Sequence, residues 1–73
     1  MASNEEADRL NTAEEYLLNY PSSSQEFDAA LEHVLWVHKT KPEFKVRCAN
    51  LLFNVVERRK DEQHTMAKLA AVR

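Results

Sequence analysis

The sequence predicts an all-α fold, a small three-helix bundle, and three observations carry that prediction. The chain has no glycine and only two prolines, Pro21 and Pro42, whereas β-hairpins favour turns with positive φ, which glycine adopts most cheaply. Its apolar residues recur at i, i+3, i+4 and i+7, the spacing that gathers side chains on one side of a helix. The periodic segments begin at Ser or Thr followed three residues later by Glu, the capping box that satisfies orphan amides at a helix start.

Helix 1 is expected over residues 4–19. Ser3 and Glu6 form a capping box, acids fill the first turn as the helix dipole prefers, and Leu10, Ala13, Leu17 and Tyr20 recur at helical spacing. Thr12 and Glu15 offer a second box, which leaves residues 1–9 as a frayed lead and Thr12 as an alternative start. The segment around Tyr20, Pro21 and the three serines that follow is a break, because proline disfavours helix in the residue before it. Helix 2 is expected from about Ser24 to His38, with Ser23 and Glu26 as its box and Phe27, Ala30, Leu31, Val34, Leu35 and His38 as its stripe. Thr40, Pro42 and Glu43 then open helix 3, and so short a connector makes helices 2 and 3 an antiparallel hairpin. Helix 3 carries Phe44, Cys48, Leu51, Leu52 and Val55 and reaches at least Lys60. Met66 and Leu69 lie two heptads after Leu52 and Val55, so one long helix to about Ala71 keeps the face. The polar stretch 58–65 equally suits a bend near His64 and a short fourth helix over 64–73. The expected core is Leu10, Leu17, Tyr20, Phe27, Leu31, Val34, Leu35, Phe44, Cys48, Leu51, Leu52 and Val55.

A chain of 73 residues is expected to be one domain, 1–73, with a core small enough to want a staple. Cys48 is the only cysteine, so an internal disulfide is excluded and a reducing compartment fits. Oligomerisation is the staple that remains. No apolar run is long enough to span a membrane. Residues 1–15 are acidic and lack the apolar stretch of a signal peptide. The expected location is cytoplasmic.

The net charge of −2 is unevenly placed: residues 1–36 hold eight acids and one base, net −7, and residues 37–73 hold nine bases and four acids, net +5. Antiparallel helices of opposite charge attract each other, which is the ordinary reading. The alternative is a basic C-terminal half that meets nucleic acid.

Candidate catalytic chemistry is sparse. Cys48 lies within the helix 3 stripe and is expected as a buried, inert hydrophobe. His33 and His38 are five residues apart, about 140° around a helix, and cannot share a metal. The carboxylate pairs Glu5/Glu6, Glu14/Glu15 and Asp61/Glu62 are sequence neighbours that do not face each other. The expectation is a non-enzymatic protein with no cofactor, no metal and no small-molecule substrate.

Two surfaces remain for a partner. Trp36 points about 180° from the helix 2 stripe, with His33 to one side. Either another helix covers it or it is an exposed anchor of the residue type most enriched in binding hot spots. Helix 3 carries a second stripe, Val46, Ala49, Phe53 and Val56, which widens its apolar arc to roughly 220°. That stripe is either enclosed by helices 1 and 2 or left for self-association. The functional expectation is a protein–protein interaction module: a small adaptor, inhibitor or regulatory subunit, docking on another protein or on a second copy as a homodimer. The alternative, a small nucleic-acid-binding regulator, would use Arg47, Arg58, Arg59, Lys60 and Lys68. Glu57, Asp61 and Glu62 oppose phosphates there.

The hairpin of helices 2 and 3 resembles one helix pair of a HEAT or armadillo solenoid, in the segment Val46-Arg47-Cys48-Ala49-Asn50-Leu51-Leu52. The likeness covers less than half of the chain. A lone pair cannot bury its faces, since solenoids need about three repeats, so the resemblance does not make the chain a member.

Overall fold

The structure, a computed structural model, describes residues 2–71. Those residues form four helices and no strand: α1 (Ala2–Asn19), α2 (Gln25–Thr40), α3 (Lys45–Arg59) and α4 (Gln63–Ala70), with a 3₁₀ turn at Pro42–Phe44 leading into α3. The first three helices run up, down and up and pack mutually as a small all-α bundle. The α4 backbone lies beside α3 alone, and its side chains reach across to the α1–α2 loop. The long-helix alternative for the C-terminus is thereby excluded. The chain turns at residues 60–62, slightly before His64. Residues 72 and 73 of the expected 64–73 segment lie outside the described residues.

The core follows the apolar stripes with three adjustments. Leu10, Leu17, Phe27, Val34, Val37, Cys48, Leu51 and Val55 are fully buried. Leu35, Phe44 and Leu52, expected inside, pack against the cluster's margin and stay partly exposed. Tyr20 is exposed, its ring tilted against Tyr16 at 4.8 Å between centroids, because it falls just beyond the end of α1. Val37 takes the inner place instead. Since α2 packs on both α1 and α3, its buried arc extends to Ala30 and Val37 on one flank as well as Leu31 on the other.

The caps differ from the expected boxes. α1 is helical from Ala2, and Thr12 sits in its interior with its hydroxyl donating to the Asp8 carbonyl at 3.1 Å. It therefore caps nothing. The Ser3 side chain of the first expected box lies outside the described residues. For α2 the cap is Ser24, not Ser23. Its Oγ accepts from the Phe27 amide at 3.2 Å and donates to the Pro21 carbonyl at 2.7 Å. Thr40 closes α2, donating to the Trp36 carbonyl at 2.7 Å, and so does not cap α3. Pro42 does occupy the first position of the 3₁₀ turn, where its missing N–H goes unneeded.

Without a glycine cap, the carbonyls at the end of α1 need another donor. Arg59 supplies it from 39 and 42 residues away, with Nη1 donating to the Tyr20 carbonyl at 2.7 Å and to the Leu17 carbonyl at 2.6 Å. Its Nε and Nη2 donate to Glu62 Oε1 at 3.0 and 2.7 Å, and its guanidinium carbon lies 5.4 Å from the centroid of the Phe27 ring. Glu62 Oε1 also accepts from the fully buried hydroxyl of Thr65, in the first turn of α4, at 2.8 Å. His64 Nδ1 lies 2.6 Å from Ser22 Oγ, and Lys68 Nζ donates to the Ser22 carbonyl and the Asp28 carboxylate.

Removing the Arg59 fork takes the donor from these two carbonyls, and the Leu17 bond is buried. We expect Arg59→Met to destabilise the protein by about 1–3 kcal/mol in urea titration, the cost of leaving a buried acceptor unpaired. Arg59→Lys should recover less than half of the loss, since an ammonium cannot hold the same planar set of acceptors. A loss below about 1 kcal/mol for Arg59→Met would show that water replaces the fork easily.

Candidate functional site

The acid-rich and base-rich halves of the chain meet through ion pairs that also decide which side chains are left for partners. Glu6 is the deepest of the acids, with only 5% of its side chain exposed. Its two oxygens engage His33 Nε2 at 2.9 Å and Lys41 Nζ at 3.4 Å, tying the start of α1 to the end of α2. Glu6 was expected as a solvated first-turn acid. It extends the buried α1 series Glu6, Leu10, Ala13 and Leu17 by one helical step, and that spacing is the signal that would have found it. On the other flank, Glu14 accepts from Arg47 Nη2 at 3.1 Å and from Asn54 Nδ2 at 2.9 Å, and Arg47 also reaches Asn11. These contacts join α1 to α3.

Of the expected interface residues, Trp36 is open, with 51% of its surface exposed. No helix of the bundle covers it. Its ring stacks on His33, centroids 6.1 Å apart and planes 26° from parallel, and Lys41 Nζ sits 5.5 Å from the ring centroid. His33 is half-buried and committed to Glu6. On α3, Val46 is 73% and Phe53 65% exposed, Ala49 is exposed and Val56 partly buried. Three of the four therefore form an outward stripe, and Val56 belongs to its edge. No described contact brings Trp36 and Phe53 together.

The five cations named for nucleic acid do not form one basic face. Arg59 is a correction: it is buried at the foot of the bundle and not on the surface. Arg47 is bound to Glu14 and Asn11, and Lys68 to Asp28 and Ser22. Of these five, only Arg58 and Lys60 make no ion pair among the described residues, and Glu57 and Asp61 stand beside them in the sequence.

Two features bear on chemistry. Cys48 is fully buried, and desolvation pushes its thiol above the ordinary value, partly offset by the nearby Arg47 charge. Ser22 and His64 are within hydrogen-bond distance. However, Ser22 is buried, and among the described residues no third group orients His64 from its other nitrogen. The pair thus lacks the arrangement that activates a nucleophile. Among the described residues, no three His, Cys, Asp or Glu side chains gather as a metal site, and no helix is long and apolar enough to cross a membrane. An open groove of about 370 Å³ runs between α1 and α2, past Tyr16, Ala13, Ala29, Ala30 and His33. The sequence reading missed it, because it is formed by the mutual approach of two helices.

Comparison with protein-family models, curated proteins and solved structures finds no match for this chain. The likeness of the α2–α3 hairpin to a solenoid pair gains no support there.

Two expected outcomes follow from these environments. Native Cys48 should react with a thiol reagent at least about 100-fold more slowly than the unfolded chain, because reaction waits for local opening. Labelling at the unfolded rate would mean that the α3 stripe is open. The Arg59 and Thr65 hydrogen bonds hold the Glu62 carboxyl below its ordinary value. Its stabilising effect is therefore complete above the usual glutamate range near ~4.3 and fades as pH falls through the lowered value. In matched thermal unfolding, the margin of the wild type over Glu62→Gln should shrink from about pH 6 to about pH 3. A constant margin would rule out the Arg59–Glu62 bond as its source.

Proposed function

We propose that this chain is a non-enzymatic protein–protein interaction module of the cytoplasm, a small adaptor, inhibitor or regulatory subunit that docks through apolar helix faces. The observation that carries the reading is the exposure of Val46 and Phe53 on one face of α3 together with Trp36 on α2. Single exposed apolar side chains are ordinary. Val46, Ala49 and Phe53, however, are spaced to form one continuous strip, and a small bundle gains stability from covering such a strip.

The occupant we favour for the α3 strip is a second copy of the chain. Large Phe53 and small Ala49 are one helical turn apart. When two such helices meet antiparallel across a two-fold axis, Phe53 of each copy falls over Ala49 of the other, and Val46 over Val56. The nucleic-acid reading draws no such support, since three of its five cations are engaged within the fold.

Sedimentation equilibrium over a range of concentrations tests the reading. The wild type should reach a dimer whose stability changes little with salt, and Phe53→Asp, an exposed substitution that leaves the fold intact by circular dichroism, should shift it to monomer by at least about tenfold in dissociation constant. A Phe53→Asp protein that is equally folded and associates like the wild type sinks the α3 interface. Steep loss of nucleic-acid binding with salt would instead favour the alternative.

A further inference from the structure

The groove between α1 and α2 lies on the seam of these two helices, lined by residues quite separate from the α3 strip. Its lining includes three small side chains, Ala13, Ala29 and Ala30, together with Tyr16 and His33. A lining rich in alanine lets another backbone approach closely, and two antiparallel helices leave a channel that a third can follow. Two of the lining residues carry further aromatic rings: Tyr16 pairs with Tyr20, and His33 with the stacked Trp36.

Charge decides what that helix must be. Three acids of α1 and α2 are matched from within: Glu6 by Lys41, Glu14 by Arg47, and the exposed Asp28 by Lys68. Those on the groove side are not. Asp8 lines the groove. Glu15 lies one helical turn from Thr12 of the lining, and Glu26 and Glu32 lie one turn to either side of Ala29. All four are exposed and make no ion pair among the described residues, and Arg9, the one cation of the lining, lies 4.0 Å from Glu5. An apolar channel with an acidic rim repels phosphate and anionic lipid and attracts an apolar ridge with basic flanks. A second copy is a poor occupant: Lys41, Arg47, Arg59 and Lys68 are engaged within the fold, and Lys39, Lys45, Arg58 and Lys60, unpaired among the described residues, are spread over the end of α2 and both ends of α3, beside Glu43, Glu57 and Asp61.

We propose that the α1–α2 groove docks a basic amphipathic helix of another protein, its apolar face on Ala13, Ala29 and Tyr16 and its cations on Asp8, Glu15, Glu26 and Glu32. This rests on the reading of the chain as an interaction module but not on the α3 dimer.

The test uses the full chain and three synthetic peptides of about 18 residues, long enough for five helical turns. One is a Leu/Lys sequence with leucine on one helical face and lysine on the other. The second is the same composition scrambled to remove the faces, and the third carries Glu in place of Lys. Binding is followed by calorimetry, with Trp36 emission as a local reporter. The Leu/Lys helix should bind one to one, at least about tenfold more tightly than either of the others. Ala29→Arg, an exposed helical position that accepts arginine without loss of fold, should weaken it at least about tenfold. A double reversal, Asp8→Lys with Glu26→Lys, should abolish the preference for lysine over glutamate, and Phe53→Asp should change nothing. Equal affinity for the scrambled peptide, or full binding by Ala29→Arg, overturns the groove. Loss of binding in Phe53→Asp moves the site to α3 and leaves the broader reading standing. Absence of binding by any peptide also overturns the groove, while the dimer is judged separately by sedimentation.

Discussion

The guanidinium of Arg59 is the point on which this small bundle closes. A chain without glycine ends its helices without the left-handed residue that normally bends the backbone round to satisfy the last carbonyls. At the end of α1 the missing donors come from the far end of α3. One side chain thereby caps α1, covers the ring of Phe27 and fixes Glu62. Glu62 in turn receives the Thr65 hydroxyl, so the turn from α3 into α4 is organised by the same group. An arginine placed at a helix C-terminus is also favoured by the helix dipole. Arginine rather than lysine suits the place, because its donors spread in a plane over acceptors from three segments.

The opposite end of the bundle is held by a smaller version of the same device. Glu6 is removed from water and recovers its interactions from His33 and Lys41. A buried carboxylate is tolerable when paired and hydrogen-bonded. Four of the nine cations of the basic half, Lys41, Arg47, Arg59 and Lys68, are thus engaged by acids of the fold. The outward acids of α1 and α2 keep their charge, and the cations left on the surface are scattered. The charge asymmetry of the sequence becomes internal cohesion, and its residue on the outside is negative.

Apolar packing and polar pinning divide the work. α1, α2 and α3 share the buried cluster around Leu10, Phe27, Val34 and Leu51. α4 adds little to it beyond Leu69 and is held mainly by Thr65, His64 and Lys68. Three helices of this length cannot enclose an α3 whose apolar arc exceeds half its circumference. Val46, Ala49 and Phe53 are accordingly left outward, and Trp36 is left outward on α2.

The sequence by itself determined the all-α class, the approximate spans of the first three helices, the antiparallel α2–α3 hairpin, most of the core and the existence of a second apolar stripe on α3. All of these are periodic or local, and period and capping chemistry act over a few residues. Which serine caps α2, whether α3 continues past residue 60, whether Trp36 is covered and whether Arg59 lies inside were open or misread. The burial of Glu6, the engagement of Arg47 and Lys68, and the groove between α1 and α2 belong to the same group. Each depends on groups that meet from distant parts of the chain, as Arg59 and Leu17 do across 42 residues. A charged side chain is read as solvated until the partner that replaces water is known, and only the tertiary structure supplies that partner.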